Sequence, residues 1–453
     1  MQMTLTADRS SFSRDLTRLA IPIVLQNLVT AAVSSADVIM LGFVSQDALA
    51  AGSLASQIMF ILNLVYCGIS ASVIMLAAQY WGKQDTRTIE KVMGIGMRIS
   101  ILISSVFFIL AFFFPSLLMK VFTNETALIT TGIPYLRVVS FSYLFMSVSQ
   151  AYLCTMRAVE RVKFATAANS SALVLNIALN AVFIFGLFGA PKLGILGVAL
   201  ATSISRGVEL LICFLDNLGD RIIHFRISTL WESNKLLFSD FMKYSLPALG
   251  NEVIWGVAFS MYSVIMGHLG SDMVAANAVV AVARNLGTVA CFGIAGAGSI
   301  LLGKSIGAGE TETVKKDASS FFKITLIAGI VGGVIIFLLK PLFLNMADLT
   351  QTAQGYLNIM LFINMYYVVG QAVNTALICG VFRSGGDSKW GFICDTIDMW
   401  LYAVPLGFIA AFLLKLPPMW VYFLICTDEF VKIPFVYKHY KSYKWLKQIT
   451  RDF

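Results

Sequence analysis

Residues 19–51 read LAIPIVLQNLVTAAVSSADVIMLGFVSQDALAA, and residues 244–276 read YSLPALGNEVIWGVAFSMYSVIMGHLGSDMVAA. One offset of 225 positions aligns Pro22 with Pro247, Ser35 with Ser260, Gly42 with Gly267, and Ala50 and Ala51 with Ala275 and Ala276. The register survives the next apolar stretch, where Gly82 meets Gly307 and Lys91 meets Lys316. A gapless match of this length marks an internal duplication, so the chain is built from two copies of one unit.

Composition says what the unit is. Hydrophobic residues make up 58% of the 453 and charged residues 13%, with a mean hydropathy of +0.80. Soluble domains carry about 25% charged residues. Apolar stretches fall at 16–41, 52–80, 94–114, 128–155, 164–188 and 193–215, then at 241–268, 275–303, 320–345, 352–380, 390–414 and 418–437. Each is long enough to cross a bilayer as a helix, which takes roughly 20 residues. None has the ten-residue alternation of a β-barrel strand. The sequence predicts an all-α polytopic membrane protein with twelve transmembrane helices in two six-helix lobes. Parallel repeats of this kind are related by a pseudo-two-fold axis along the membrane normal, a construction common in secondary transporters.

The expected boundaries are an N-lobe over 1–215, an interfacial linker over 216–240, a C-lobe over 241–437 and a tail over 438–453. The linker and tail mix basic residues with aromatic ones (Phe225, Trp231, Trp445), as suits segments anchored at a membrane surface. The net charge of +8 does not call for nucleic acid. Basic residues crowd alternate loops, from Arg9, Arg14 and Arg18 through Arg157 and Arg161 and Arg221 and Arg226 to Arg383 and Lys389 and the tail. That pattern orients the chain with both termini in the cytoplasm. The first apolar stretch reads as a span and not as a cleaved signal peptide. The seven cysteines lack metal or redox spacing and read as reduced packing residues. There is no HExxH, GxSxG or Walker A motif, so no enzyme is expected. GIAGAG at 293–298 reads as a helix-packing run.

Ionisable residues at membrane depth are functional hypotheses by default. Asp37 shares a helical face with Ser34, Thr30 and Gln26. It can carry a proton, hold Na⁺ with oxygen neighbours, or merely sit wetted in a vestibule. Asn169, Asn176 and Asn180 share a face in the fifth span and Thr202 lies in the sixth; these can coordinate a cation or join helices. The second copy offers Glu252, Arg284, Asp395 and Asp398. An acidic partner for Arg284 is expected, and Asp398 is placed nearer to water than Asp395. Arg206 and Glu209 are spaced to pair at i,i+3. Pro22 and Pro247 are either static kinks or hinges. Trp255, Phe259, Met261, Tyr366 and Tyr367 are candidates to hold flat cations against ring faces. At the offset of 225, Asp37 falls on Tyr262 and Glu252 on Asn27, so the copies agree in frame and differ in charge.

The span containing Pro22 and Asp37, running into MLGFVSQDALAA (40–51), resembles the multidrug and toxic compound extrusion (MATE) transporters. So do AAQYWGKQD (77–85), LLGKSIGAGE (301–310), NIALNAVFIFG (176–186), GILGVALATSISR (194–206) and FRSGGDSKWG (382–391). The resemblance covers essentially the whole chain. It implies a monomeric cell-membrane antiporter, without cofactor, that exports small organic compounds, often cationic, against inward H⁺ or Na⁺ flow. By the same resemblance Asp37, Asn176 and Asn180 match the N-lobe coupling site, with Asn180 where an Asp is common. Glu252 matches a seventh-span Glu used by some members, whereas their tenth-span carboxylate has no counterpart in LFINMYYVVGQAVNTALICG (361–380). Two other readings remain open: a flippase for lipid-linked precursors within the same superfamily, and a non-transporting membrane receptor.

Overall fold

The structure, a computed structural model, describes residues 9–219, 222–232, 234–345 and 349–451. The side chains of Ser34, Ser35, Arg9 and Arg221, named above, lie outside the described set. Among the described residues the chain is helical, with no strand. The first copy comprises α1 (Arg9–Gly42), α2 (Gln46–Gly82), α3 (Thr86–Phe113), a short α4 (Pro115–Phe122), α5 (Thr126–Ala158), α6 (Val162–Phe185) and α7 (Ile195–Leu218). The second comprises α8 (Lys235–His268), α9 (Ser271–Gly307), α10 (Thr311–Asn345), α11 (Gln351–Phe382) and α12 (Ser388–Leu413). Two final helices follow, α13 (Pro418–Ile425) and α14 (Asp428–Lys441).

The duplication read from sequence is a duplication of helix ends. α1 and α8 are both 34 residues long, and α2 and α9 both 37. The starts of α2, α3 and α5 recur 225 positions later as the starts of α9, α10 and α11. Local chemistry sets these ends. Ser45 Oγ accepts from Ala48 N at 3.0 Å to cap α2, and Asp85 accepts from Thr88 N at 3.0 Å to cap α3. The turn between the second and third helices needs a left-handed residue in both copies, supplied by Gln84 (φ 62°) and Gly309 (φ 80°).

The copies diverge where proline falls. α3 stops at Phe114 because Pro115 starts a new helix, whereas α10 runs straight through Pro341. Among the described residues, eleven helices are long and apolar enough to span a membrane. The expected twelfth span, 418–437, is instead broken at Cys426–Thr427 into α13 and α14, and α14 opens with Asp428 and Glu429. α11 and α12 also carry wider π-helical turns, over Ala376–Phe382, Thr396–Ala403 and Ile409–Leu413. Such turns let side chains rotate out of helical register, and they cluster at functional sites.

Two compact units emerge from the packing: one spans Leu25–Ser245, the other runs up to Val24 and resumes at Leu246. The divisions fall beside Pro22 and Pro247, so α1 and α8 each contribute to both units. The Leu25–Ser245 unit buries Leu62, Tyr66, Leu136 and Tyr143 in its core. The other buries Val280, Ala283, Leu357 and Leu361. Small residues let its helices touch backbone to backbone, as expected for membrane packing. A Cβ on Gly332 of α10 would strike the Gly287 carbonyl of α9, and one on Gly333 would lie 2.6 Å from the Met365 carbonyl of α11. In the GIAGAG run, Gly293 packs on Val24 and Gly298 on the Phe321 ring.

The tail does not behave as a surface anchor. Trp445 is fully buried, donates to the Tyr440 carbonyl at 2.9 Å and packs over Gly385. Asp387 holds the tail through His439 Nε2 at 2.7 Å and Lys447 Nζ at 3.1 Å. In the linker, by contrast, Trp231 is 83% exposed.

Candidate functional site

In the Leu25–Ser245 unit, α1, α2, α5, α6 and α7 line a cavity of about 360 Å³. Asp37, Thr30, Asn176, Thr202 and Arg206 border it, with Tyr135 and Asn63. Asn180 Nδ2 donates to Asp37 Oδ1 at 2.6 Å. With its amide turned so that the nitrogen meets an acceptor, Asn176 bridges Thr202 and the Asp37 carboxylate, 3.2 Å from each. The nearer amide, Asn180, thus turns an N–H group and not an oxygen toward the carboxylate. Asn180 Oδ1 is left buried without a hydrogen-bond partner among the described residues. Asp37 itself has no ion pair among the described residues, since Arg206 is engaged by Glu209.

Two expected neighbours go elsewhere. Asn169 lies two turns from Asn176 and reaches Glu209 instead, with Nδ2 at 3.5 Å from Oε2. Glu209, wholly buried, also accepts from Ser149 Oγ at 2.8 Å and Gln150 Nε2 at 3.3 Å. The Arg206–Glu209 pair forms at the i,i+3 spacing expected for it. Gln26 Oε1 faces Arg157 Nη2 and Thr166 Oγ1, each at 3.4 Å.

The second copy holds a denser charge array. Glu252 pairs with Arg383 at 2.6 Å, and Arg383 also donates to Asn251 Oδ1 at 3.0 Å. Arg383 was counted among loop cations from sequence, but its side chain is only 13% exposed. Asn251 Nδ2 donates to Asp395 Oδ2 at 2.6 Å. Lys432 Nζ then sits 3.3 Å from Asp395, 3.5 Å from Asp398 and 3.2 Å from Glu429. Tyr262 Oη donates to Asp428 at 3.0 Å, and Asn374 Nδ2 to Glu429 at 2.6 Å. Asp398 is as buried as Asp395, which corrects its placement near water. It sits on the π-helical stretch of α12, which turns it inward. Asp428, Glu429 and Lys432 are hidden in sequence, because they lie in a stretch, 418–437, apolar enough to predict one span.

Arg284 finds no acidic partner among the described residues, against expectation. Its guanidinium lies over the Phe259 ring at 5.4 Å and the Tyr367 ring at 5.7 Å, beside a cavity of about 30 Å³ that also touches Asn277 and Tyr422. That space admits a single water. Trp255 lies tilted against Phe259 with ring centroids 4.5 Å apart, and with Met261 packs against the apolar core. Tyr366 and Tyr367 part company: Tyr367 is buried, and Tyr366 is 54% exposed against Phe362. Pro22 and Pro247 lie within unbroken helices. No group of three or more His, Cys, Asp or Glu among the described residues is arranged to hold a metal ion.

Comparison with known proteins agrees with this architecture. The chain is similar to a probable multidrug resistance protein, YoeA, of Bacillus subtilis (strain 168), at 25% identity over 99% of this chain and 98% of the relative. It is similar to the multidrug resistance protein NorM of Vibrio cholerae, at 25% identity over 87% of this chain and 86% of that protein. Its fold matches a solved MOP superfamily transporter from Pyrococcus furiosus with a TM-score of 0.85, at 18% identity over 96% of this chain and 97% of that one. The MatE family model matches twice, over residues 22–182 and 247–409, and the two matches start at Pro22 and Pro247, the same 225 positions apart. This chain is a multi-pass membrane protein that belongs to the MatE family of transporters.

Proposed function

We propose that the chain exports small organic compounds, many of them cationic, across the cell membrane in exchange for H⁺ or Na⁺. It acts as a monomer with both termini cytoplasmic, and its cavity opens alternately to the two sides. Relatives named as multidrug resistance proteins support a drug-like substrate class. The observation that carries the coupling assignment is Asp37: a carboxylate at a cavity wall, on an apolar helix, held by amide hydrogen bonding and in no ion pair among the described residues. A neutral carboxylic acid and a carboxylate make different demands on Asn176 and Asn180. Protonation therefore changes the hydrogen bonding that ties α1 to α6, and Pro22, lacking its backbone donor, is where α1 bends in response.

Between the two ions, the amide orientation favours H⁺. A Na⁺ ion needs oxygen ligands at short range, whereas Asn180, the amide nearest to Asp37, presents an N–H donor to it. Export of a fluorescent cation from proteoliposomes, with Na⁺ and pH gradients imposed separately, tests this. Efflux should follow the pH gradient, and Asp37→Asn should abolish the dependence. A variant that exports at the wild-type rate with full gradient dependence refutes the assignment.

A further inference from the structure

The polar centres of the two copies occupy matching places in their helices with opposite charges. α7 runs from Ile195 to Leu218, and the α13–α14 stretch from Pro418 to Lys441, 223 positions later at both ends. On that register Arg206 corresponds to Glu429, and Glu209 to Lys432. Each pair bonds at i,i+3, but Arg206–Glu209 becomes Glu429–Lys432. Asn169 and Asp395 are each the eighth residue of their helix, and each faces the last member of that pair, Glu209 or Lys432. The amide–arginine contact recurs too, as Gln26 with Arg157 and Asn251 with Arg383.

Charge does not balance equally in the two frames. In the first, Glu209 is met by Arg206 and three uncharged donors. In the second, Asp395, Asp398, Asp428 and Glu429 converge around one ammonium. The Glu252–Arg383 pair is neutral by itself. Even with Arg284, which acts on Asp428 from α9, two negative charges remain if every carboxylate is ionised. All five groups of the cluster are more than nine-tenths buried. Among the described residues neither oxygen of Asp398 has a hydrogen-bond partner beyond the 3.5 Å ion-pair contact with Lys432, nor does Asn374 Oδ1, whose own amide nitrogen holds Glu429. The surplus consists wholly of acceptors. Unpaired buried charge costs several kcal/mol per ion, and carboxylates sharing one site do not all ionise together.

We propose that the cluster of Asp395, Asp398, Asp428 and Glu429 around Lys432 is a second proton-binding site. The tethered ammonium fills the place that a metal cation would need to take, so this site answers to H⁺ and not to Na⁺. The other titratable groups facing it are Tyr262, Arg284, Tyr367, Cys379, Arg383, Cys394 and Cys426. Of these Arg284 and Arg383 are cationic, and Arg383 is already paired with Glu252.

The test uses full-length protein in detergent in an Asp37→Asn background, which separates this site from the coupling carboxylate. Thermal unfolding is followed from pH 5.5 to 8.5, in NaCl or choline chloride at equal ionic strength. Because the folded state binds the extra protons, the melting temperature should fall as pH rises, with no difference between the salts. Lys432→Gln should steepen the fall and create a stabilisation by Na⁺ that the parent lacks. Lys432→Arg should behave as the parent. Asp398→Asn, which keeps the lysine paired with Asp395 and Glu429, should flatten the pH response, and it decides the matter if Lys432→Gln does not fold. The proposal is overturned if the parent is already stabilised by Na⁺, or if Asp398→Asn leaves the pH response unchanged.

Discussion

Replacing Glu252 separates a coupling residue from a structural one. In this chain the carboxylate is committed to Arg383 at 2.6 Å, with the two side chains 19% and 13% exposed. Removing one member of a fully buried pair leaves the other charge uncompensated, a loss of about 3–5 kcal/mol, and this part-buried pair belongs at the lower end of that range. Glu252→Gln sits at the lower end, about 3 kcal/mol, because Asn251 Oδ1 still receives Arg383 at 3.0 Å and the new amide can accept one bond. Arg383→Met should cost at least as much, since it strips Glu252 of its cation. The double variant removes both charges and should recover about 2 kcal/mol or more of the summed losses, as coupled neighbours do. The assay is fluorescence-monitored unfolding of all four proteins, alongside dye export. Losses that add within about 0.5 kcal/mol would show that the pair does not act as a unit. A stable Glu252→Gln that loses its ion dependence would assign coupling to Glu252 and refute the structural reading.

Three further outcomes follow from single contacts. Gly333→Ala places a methyl 2.6 Å from the Met365 carbonyl, backbone that cannot swing away, and should destabilise by about 1–3 kcal/mol; an unchanged melting temperature would show that α10 and α11 can slide apart freely. Arg161 grips Asp216 with two nitrogens at 2.8 and 2.7 Å, so Arg161→Lys should forfeit one bond, about 1 kcal/mol in urea unfolding, and no loss would mean the fork is not formed in solution. Asn180→Ala removes the 2.6 Å donor to Asp37 and should alter the pH dependence of export while leaving substrate affinity near wild type; an unaltered pH profile would separate Asn180 from coupling.

Signals written along the chain were legible in the sequence. The offset of 225 gave the helix register because proline, glycine and loop spacing act on neighbouring residues. Asp37 stood out because one carboxylate in an apolar helix needs no partner to be conspicuous, and Asn176 and Asn180 followed from helical spacing. What escaped depends on partners far away in sequence. Arg383 is written beside two glycines and looks like a loop cation, yet its partner Glu252 lies 131 residues upstream. Lys432 falls within a stretch hydrophobic enough to read as a span, and only the break at Cys426–Thr427 and the π-helical turns of α12 bring it against Asp395 and Asp398. Asn169 misled in the opposite sense. It shares a helical face with Asn176 but lies two turns away, where Glu209 is the nearer acceptor.

Duplication leaves two copies with the same backbone addresses, and the charges at those addresses decide what each can do. A position four residues after the proline holds an amide in both, Gln26 and Asn251, and each meets an arginine from the end of the fourth long helix, so that contact belongs to the frame. The address of Asp37 holds Tyr262 in the second copy, and Tyr262 donates to Asp428 where Asp37 only accepts. The address of Glu209 holds Lys432. A carboxylate bordering a cavity and a lysine encircled by carboxylates do not answer one ion in the same sense. Adding a proton removes the lone charge of the first, but only trims the excess around the second while its ammonium stays charged. The proposed coupling cycle therefore rests on the difference between the two copies, and exchanging their charges, Glu209→Lys with Lys432→Glu, should abolish gradient-driven export even if the double variant folds and retains substrate binding.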